Sequence, residues 1–402
     1  MPDLLVRAAK VLADDKANAT AVLIRDGVIA AIDRWEELSR AEVAQVIDLS
    51  QLVLSPGFID THVHITGSGQ RSAPADMMAD PPETLLLRAA ANAQAALGEG
   101  LTTVRDCGGR NDVIFPFKDA ANRGILPAPR VLAAGAPLTR TGGHGHWWGL
   151  EADDDDEIRK FIRRQAKANA DVIKVMVDGG IDLTNHQPGL LYFDPSTLRM
   201  IVDEAERWGR RVAAHCLTTA GIRSATFAGV HSIEHAIFYD LDAGATRYDQ
   251  ALGDDIARKG IVVDPGHAFA YDVFTDPSAA TIFPRNAAMF HDRLEDDARM
   301  LRQGVKQVPG TDGGWYATPF GYYHRIPSLM VERTGMTLRQ AWEACTRVAA
   351  ESIGLERETG SIATGKRADL VALGSDPTAD VGAYTNVRWT MVAGRILYDR
   401  TT

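Results

Sequence analysis

Two histidines one residue apart, His62 and His64, close an apolar stretch that passes through Leu54, Pro56, Gly57 and Phe58. A β-strand repeats every two residues, so both imidazoles point the same way. Such a pair at the end of a buried strand is either a hydrogen-bonded core pair or half of a metal site. More polar residues end other apolar runs. His215 closes 211–215, His235 closes 232–235, and Asp312 closes 308–312. Lys174 sits inside the β-branched run 171–177. An ammonium buried among valines costs several kcal/mol unless it is paired. A lysine that loses its proton there can take up CO₂ as a carbamate, an anionic two-oxygen ligand able to bridge two metals. A snorkelling lysine, or one paired to an acid such as Asp312, is the plainer reading.

These residues need a scaffold that brings distant strand ends together. Short strands are expected at 4–8, 21–25, 28–32 and 45–48, with a turn at Asp26 and Gly27. From residue 52 onward, eight strands alternate with helical segments, and a long helical pattern follows at 338–350. Eight parallel strands with helical returns close most simply into an α/β (β/α)8 TIM barrel. The tail reverts to strands at 361–373, 387–392 and 395–398. Both chain ends are therefore expected to build one small composite β-sandwich domain from 1–56 and 360–402, around a metal-dependent catalytic barrel at 57–359. The polar residues fall at the C-terminal ends of the barrel strands, the face on which such barrels carry active sites.

Bulk composition excludes several classes. The 402 residues carry a formal net charge of -10, which gives no general attraction for nucleic acid or an anionic membrane. No apolar run is long enough to span a bilayer, and no basic segment with an apolar core opens the chain. Three scattered cysteines, Cys107, Cys216 and Cys345, fit a reducing cytoplasm better than a disulfide framework. The acidic run 153–157 reads as a helix start favoured by the dipole. Cys216, next to His215 on a strand, points the other way and reads as a structural thiol.

The run from Pro56 to His64, together with Lys174, His215, His235, the Gly310–Asp312 turn and the 365–371 segment, resembles the amidohydrolase superfamily over almost the whole chain. The resemblance implies two divalent metal ions, most simply Zn2+, with Mn2+ or Co2+ admitted by the same donors. His62, His64 and Asp312 would hold the more buried ion and His215 and His235 the more exposed one. Lys174, as N6-carboxylysine, would join them. Two ions about 3.5–4 Å apart share a hydroxide that attacks a polarised carbonyl. Asp312 is the candidate to take the proton and pass it to the leaving nitrogen. The closer resemblance is to the imidazolonepropionase-like and Xaa-Pro-dipeptidase-like group, carried by 102–106, the Gly-rich loop 141–145 and 232–235. In that loop His144 is the expected donor to the substrate carbonyl, with His146 and His267 as weaker candidates. The seventh strand ends in Asp264 and His267, more polar than the group leads one to expect. Homo-oligomers are common in the superfamily, and one is expected here.

The pocket mouth is rich in aromatic residues. Five of the nine residues 315–323 are aromatic, Trp315 and Tyr316 first among them, in a chain that is 7% aromatic overall. Trp147 and Trp148 follow the third strand, and Phe269 and Tyr271 the seventh. Aromatic walls grip flat or bulky apolar groups, although such residues also pack loops together. Arg140 and Arg325 are the candidates to fork onto a substrate carboxylate. The expected function is a dinuclear hydrolase of an amide, carbamate, urea or N-acyl amino acid with an aromatic or cyclic part. The alternatives are a mononuclear deaminase of a ring amine, an Xaa-Pro-type dipeptidase, and a scaffold kept for binding alone. Lys174 argues against the deaminase, and the complete donor set argues against the last.

Overall fold

The computed structural model describes residues 2–179, 190–266 and 287–401, with 287–291 described for backbone alone. Seven barrel strands run in chain order: Phe58–Val63, Leu101–Asp106, Arg130–Ala133, Val172–Met176, Arg211–Thr218, Ser232–Asp240 and Val262–Asp264. Neighbours pair in parallel from the first strand to the third and from the fourth to the seventh. The third and fourth are joined by Asp171 N–H donating to the Ala133 carbonyl and by reciprocal bonds between Leu138 and the fourth strand. The expected eighth strand is an extended segment with a sparse ladder. Its Gln307 pairs with Val263 and its Gly313 with Val63. Pro309 has no N–H to give, so it only accepts, from Thr61 N–H at 2.9 Å. Asp312 N–H then donates to the His62 carbonyl at 2.9 Å, and His64 N–H to the Gly313 carbonyl at 2.7 Å. The barrel closes at the point where Asp312 meets His62 and His64.

Helices cover the barrel because their apolar faces repeat at helical spacing. Asp155–Lys167 buries Ile158, Phe161 and Ile162, and Pro195–Arg207 buries Leu198, Ile201 and Val202. Both pack on the inner strands through one large apolar cluster. The acidic run before Ile158 does start its helix: the Asp154 side chain accepts from Glu157 N–H.

Both chain ends enter a single seven-stranded sheet. Its order is Arg395–Asp399, Val387–Val392, Leu370–Leu373, Gln45–Pro56, Leu4–Val11, Ala21–Arg25, Val28–Asp33. One face packs Val6, Ile24, Leu54, Leu370 and Trp389 together, and the other packs Leu5 and Leu23 against Trp35 and Leu38.

The apolar stretch before His62 is two strands rather than one. Gln45–Pro56 belongs to the composite sheet and Phe58–Val63 to the barrel. The break is Gly57, whose N–H donates to the Asp369 carbonyl at 2.9 Å, while Phe58 N–H turns to the Gly100 carbonyl. A Cβ at Gly57 would overlap the Thr102 side chain. Gly57→Ala is expected to destabilise the protein by about 1–3 kcal/mol through overpacking. Urea unfolding checks this, and a midpoint equal to wild type would contradict the close approach.

Candidate metal centre at the barrel mouth

His62 lies on the first strand and His64 just past its end, and both are buried. Their rings stand 5.5 Å apart, and the His235 ring is 5.1 Å from that of His62. His215 lies 4.7 Å from His235 and 4.8 Å from His144, again between ring centroids. Asp312 Oδ1 is 3.3 Å from His64 Nε2 and 3.6 Å from His62 Nε2. Lys174 Nζ is 3.4 Å from His62 Nε2. Six residues from five separated stretches of sequence, His62 with His64, Lys174, His215, His235 and Asp312, thus meet in one cluster.

Hydrogen bonding fixes how the first two imidazoles are presented. His64 Nδ1 is 2.8 Å from the Gly108 carbonyl, which can only accept, so Nδ1 carries a proton and Nε2 faces Asp312. Gly108 is placed by Asp106, whose carboxylate accepts from Gly108 N–H at 3.1 Å and Ile65 N–H at 2.7 Å. Behind His62, Glu234 Oε2 stands 3.2 Å from Nδ1, close but not aligned as a full hydrogen bond. The carboxylate's charge favours a proton on that nitrogen and leaves Nε2 for the mouth. Lone pairs of His62, His64 and Asp312 therefore converge, and this convergence suits a cation.

The electrostatics agree. Burial pushes the His62 pKa down to about 4, helped by Lys174 and opposed by Glu234. Burial likewise holds His215 and His235 well below the usual imidazole value, with neighbouring charges adding to it. These three imidazoles are neutral at pH 7, the form that binds metal. His64 goes the other way: burial lowers its pKa, but Asp312 outweighs burial and raises it. For Asp312, burial is outweighed by His64, His62 and Lys174, and the carboxyl lies far below its ordinary value. Asp312 Oδ1 and His215 Nε2 are buried with no hydrogen-bond partner. Unsatisfied buried acceptors are costly, and a bound metal would satisfy both. Lys174 is 2% exposed and forms no ion pair among the described residues. A second grouping of possible donors, His62, Cys107 and Glu234, lies behind His62. Its Glu234 is already committed to Arg105 at 2.8 Å, and burial pushes the Cys107 thiol up to about 12, so it reads as support for the site.

The remaining candidates spread outward. His144 is buried on the Gly-rich loop, its N–H donating to the Tyr192 hydroxyl at 2.9 Å. Its ring stacks on His215 and meets Trp147 and Trp315 edge-on. His146 turns its Nδ1 to the Gly143 carbonyl, 3.0 Å away, within its own loop. Trp315 reaches both His64 and His144 and stacks with Trp147 at 5.7 Å, so these aromatics pack on one another and on the histidines at once. Tyr316 is half-buried beside it. Arg140 is exposed, and the Arg325 guanidinium lies over the Tyr322 ring at 3.4 Å. His267, Phe269 and Tyr271 lie outside the described residues. Asp264 is fully buried and accepts from the Thr61 hydroxyl at 2.7 Å, tying the seventh strand to the first. Sequence reading passed over Arg105 and Glu234 as parts of longer motifs. The signal available was a pair of opposite charges, each inside a strand pattern of buried residues.

A closed (β/α)8 barrel whose strand ends gather four imidazoles, a lysine and an aspartate is a metal-dependent hydrolase acting on amide-type carbon–nitrogen bonds. The family model described as the amidohydrolase family matches residues 53–397. The chain belongs to that family. It is 28% identical over 396 residues to ochratoxinase from Aspergillus niger, covering 90% of this chain and 79% of that protein. The solved structure of A. niger ochratoxinase superposes with a TM-score of 0.84 at 26% identity, over 100% of this chain and 97% of that one. A Xaa-Pro dipeptidase with bound methionine in its active site gives a TM-score of 0.81 at 27% identity, over 98% and 99%. Imidazolonepropionase from Deinococcus deserti is 24% identical over 397 residues, 92% of this chain and 89% of that protein. The closer grouping expected from the sequence is therefore borne out. Among the described residues no helix is long and apolar enough to cross a membrane.

Glu234 orients a candidate ligand without facing the mouth. Glu234→Gln is expected to weaken metal binding roughly 10–100-fold, the range typical of such outer partners. Titration in a metal buffer measures it, and unchanged affinity in a folded variant would remove the role.

Proposed function

We propose that this enzyme is a dinuclear hydrolase of an amide-type bond in a substrate with an aromatic or cyclic part. The observation that carries the reading is the single buried cluster of His62, His64, Lys174, His215, His235 and Asp312. In this reading His62, His64 and Asp312 would hold one divalent ion and His215 and His235 the other, and Lys174, as a carbamate, would supply oxygen donors to both. Carbamate formation joins Lys174 Nζ to the carbon of CO₂ and releases one N–H proton. Zinc fits the donor set, and manganese or cobalt is compatible with it. The ions would supply an acidified water and polarise the scissile carbonyl.

The chain's own residues do the rest. Asp312, with one oxygen in the cluster, accepts a proton and returns it to the leaving nitrogen. His144, stacked beside His215, is the donor to the substrate carbonyl oxygen. Trp147 and Trp315 offer indole faces for a flat group, and the likeness to ochratoxinase supports a bulky cyclic substrate. A soluble cytoplasmic homo-oligomer acting on a small molecule is the accompanying proposal. The domain division at 56/57 and 359/360 belongs to the same reading. A dipeptide or N-acyl amino acid is the second reading, supported by the likeness to the Xaa-Pro dipeptidase.

Metal analysis is expected to find about two ions per chain. One ion, with ammonia released from a ring amine, would favour a deaminase instead. Asp312→Asn is expected to lower kcat by at least about 10²-fold, within the range for loss of an acid–base group. A near-wild-type kcat at full metal occupancy would refute the proton-transfer role. Trp315→Ala is expected to raise KM for aryl amides roughly tenfold while leaving small aliphatic amides unchanged. Equal effects on both series would mean that Trp315 packs the loop and does not grip substrate.

A further inference from the structure

A second buried arginine at the barrel mouth lacks the partners that the first one has. Arg105 engages every nitrogen group: Nε donates to the Thr61 carbonyl, Nη1 to the Ser232 hydroxyl and Nη2 to Glu234. Arg293, on the helix Ala287–Arg302 that leads into the eighth strand, is 4% exposed and therefore just as removed from water. Among the described residues its one hydrogen bond runs from Nη2 to the His235 carbonyl at 3.1 Å. Nε is buried with no partner. The buried carboxyls of Asp297 and Asp264, and Asp312, stand close enough to act on the guanidinium charge, but none comes within ion-pair distance of it among the described residues. A guanidinium presents five N–H donors in a planar fork and stays charged in proteins. Burying one whose Nε–H has no acceptor, with no carboxylate in direct contact among the described residues, is unfavourable unless a further acceptor completes it.

The position is specific. Arg293 is bonded to the backbone of a candidate metal ligand, and its charge is felt at both His235 and Asp312. The indole faces approach the cluster at His64 and His144. A substrate laid across the cluster would have its ring beside Trp315 and an anionic group beside Arg293.

We propose that Arg293 is the recognition group for a substrate carboxylate, so that the preferred substrates are amides carrying both an aromatic ring and a carboxylate. This rests on the hydrolase reading above and narrows it. The fork matches a carboxylate's two oxygens, and the orphaned Nε–H together with an Nη–H is the bidentate pair such a group takes.

Arg293→Gln separates recognition from scaffolding, because the Gln amide can still donate to the His235 carbonyl while carrying no charge. The probes are 3-phenylpropionate and 3-phenylpropan-1-ol, which share a ring and chain and differ in the carboxylate. Calorimetry on metal-loaded wild type is expected to show roughly 10–100-fold tighter binding of the carboxylate, the range for a charged hydrogen-bonded pair. In Arg293→Gln that preference is expected to vanish with metal content and Tm unchanged. A wild type with no preference overturns the proposal. So does an Arg293→Gln variant that keeps the preference, since the carboxylate would then be held by the metal. Should Gln lose metal or fold, Arg293→Lys restores the charge, and loss of the preference in a folded, metal-replete Lys variant counts against charge recognition. Carboxylate preference abolished by Arg293→Gln in an enzyme that cleaves no amide would sink the hydrolase reading and leave this assignment standing. Equal cleavage of anionic and neutral amides, without binding preference, would do the reverse.

Discussion

The barrel mouth depends on one buried ion pair, Arg105 with Glu234. Both side chains are essentially inaccessible to water, and the desolvation cost of such a pair exceeds its attraction unless every remaining donor and acceptor is met. Here all but Glu234 Oε2 are met by groups from three strands. Arg105 donates to the Thr61 carbonyl on the first strand and to the Ser232 hydroxyl on the sixth, and Ser232 also donates to Glu234 at 2.6 Å. The free edge of Glu234 is directed at His62 Nδ1. A pair that stabilises the fold only when complete thus sets the orientation of a histidine on which the cluster turns. Removing either partner would leave an uncompensated charge inside the barrel, which is why the pair and the imidazole have to be considered together.

A ring of buried carboxylates does similar work for the backbone. Asp60 accepts from the N–H groups of His62 and Thr311 and from the Thr311 hydroxyl, linking the first strand to the closing segment. Asp178 accepts from Leu217 and Thr218 at the end of the fifth strand. Asp264 joins Thr61 to Gly266, so the polar ending of the seventh strand has an architectural role at this residue. Burial raises the pKa of Asp60 to about 7 and those of Asp106 and Asp178 to about 6. These groups hold the strand ends in conformations that a regular ladder would not provide. His235 and Asp312 both have positive φ, 72° and 56°, in a region that non-glycine residues rarely adopt.

That irregularity separates what the sequence could reveal from what it could not. The period of two placed His62 and His64 on one face, strand-end position located His215 and Asp312, and the β-branched run around it located Lys174; apart from Asp312, whose φ is 56°, these obey regular geometry. Glu234 and His235 do not. On a regular strand adjacent side chains point to opposite faces, so only one of the two should reach the barrel interior. The left-handed turn at His235 lets both contact His62, a result that depends on tertiary constraint and leaves no trace in hydrophobic pattern. The same limit applies to the break at Gly57, where an apolar run gave no sign that it changes sheets. Arg293 was hidden for another reason: on a helix with charged residues all round, one arginine turned inward looks like its exposed neighbours. The aromatic loops were visible by composition, but their mutual stacking and contact with the histidines required the fold.

Charge arithmetic ties the cluster to its ligand. In the proposed donor set the imidazoles are neutral, and the anionic members are Asp312 and the lysine carbamate. Glu234 is already balanced by Arg105. Two divalent ions would bring four positive charges against three negative ones once a shared hydroxide is counted, and Arg293, with Asp297 acting on it, lies beside His235. A free ammonium at Lys174 would make this excess worse in a medium where water cannot screen it, so charge alone favours the carbamate form once metal is present. The remaining excess is positive, and it lies where a substrate must bind. A site of that character draws anions and discriminates against cationic amines, and it stabilises the negative charge that develops on a carbonyl oxygen during attack. The buried pair beneath His62 neutralises the interior below, so that bound metals would be the dominant charge at the mouth.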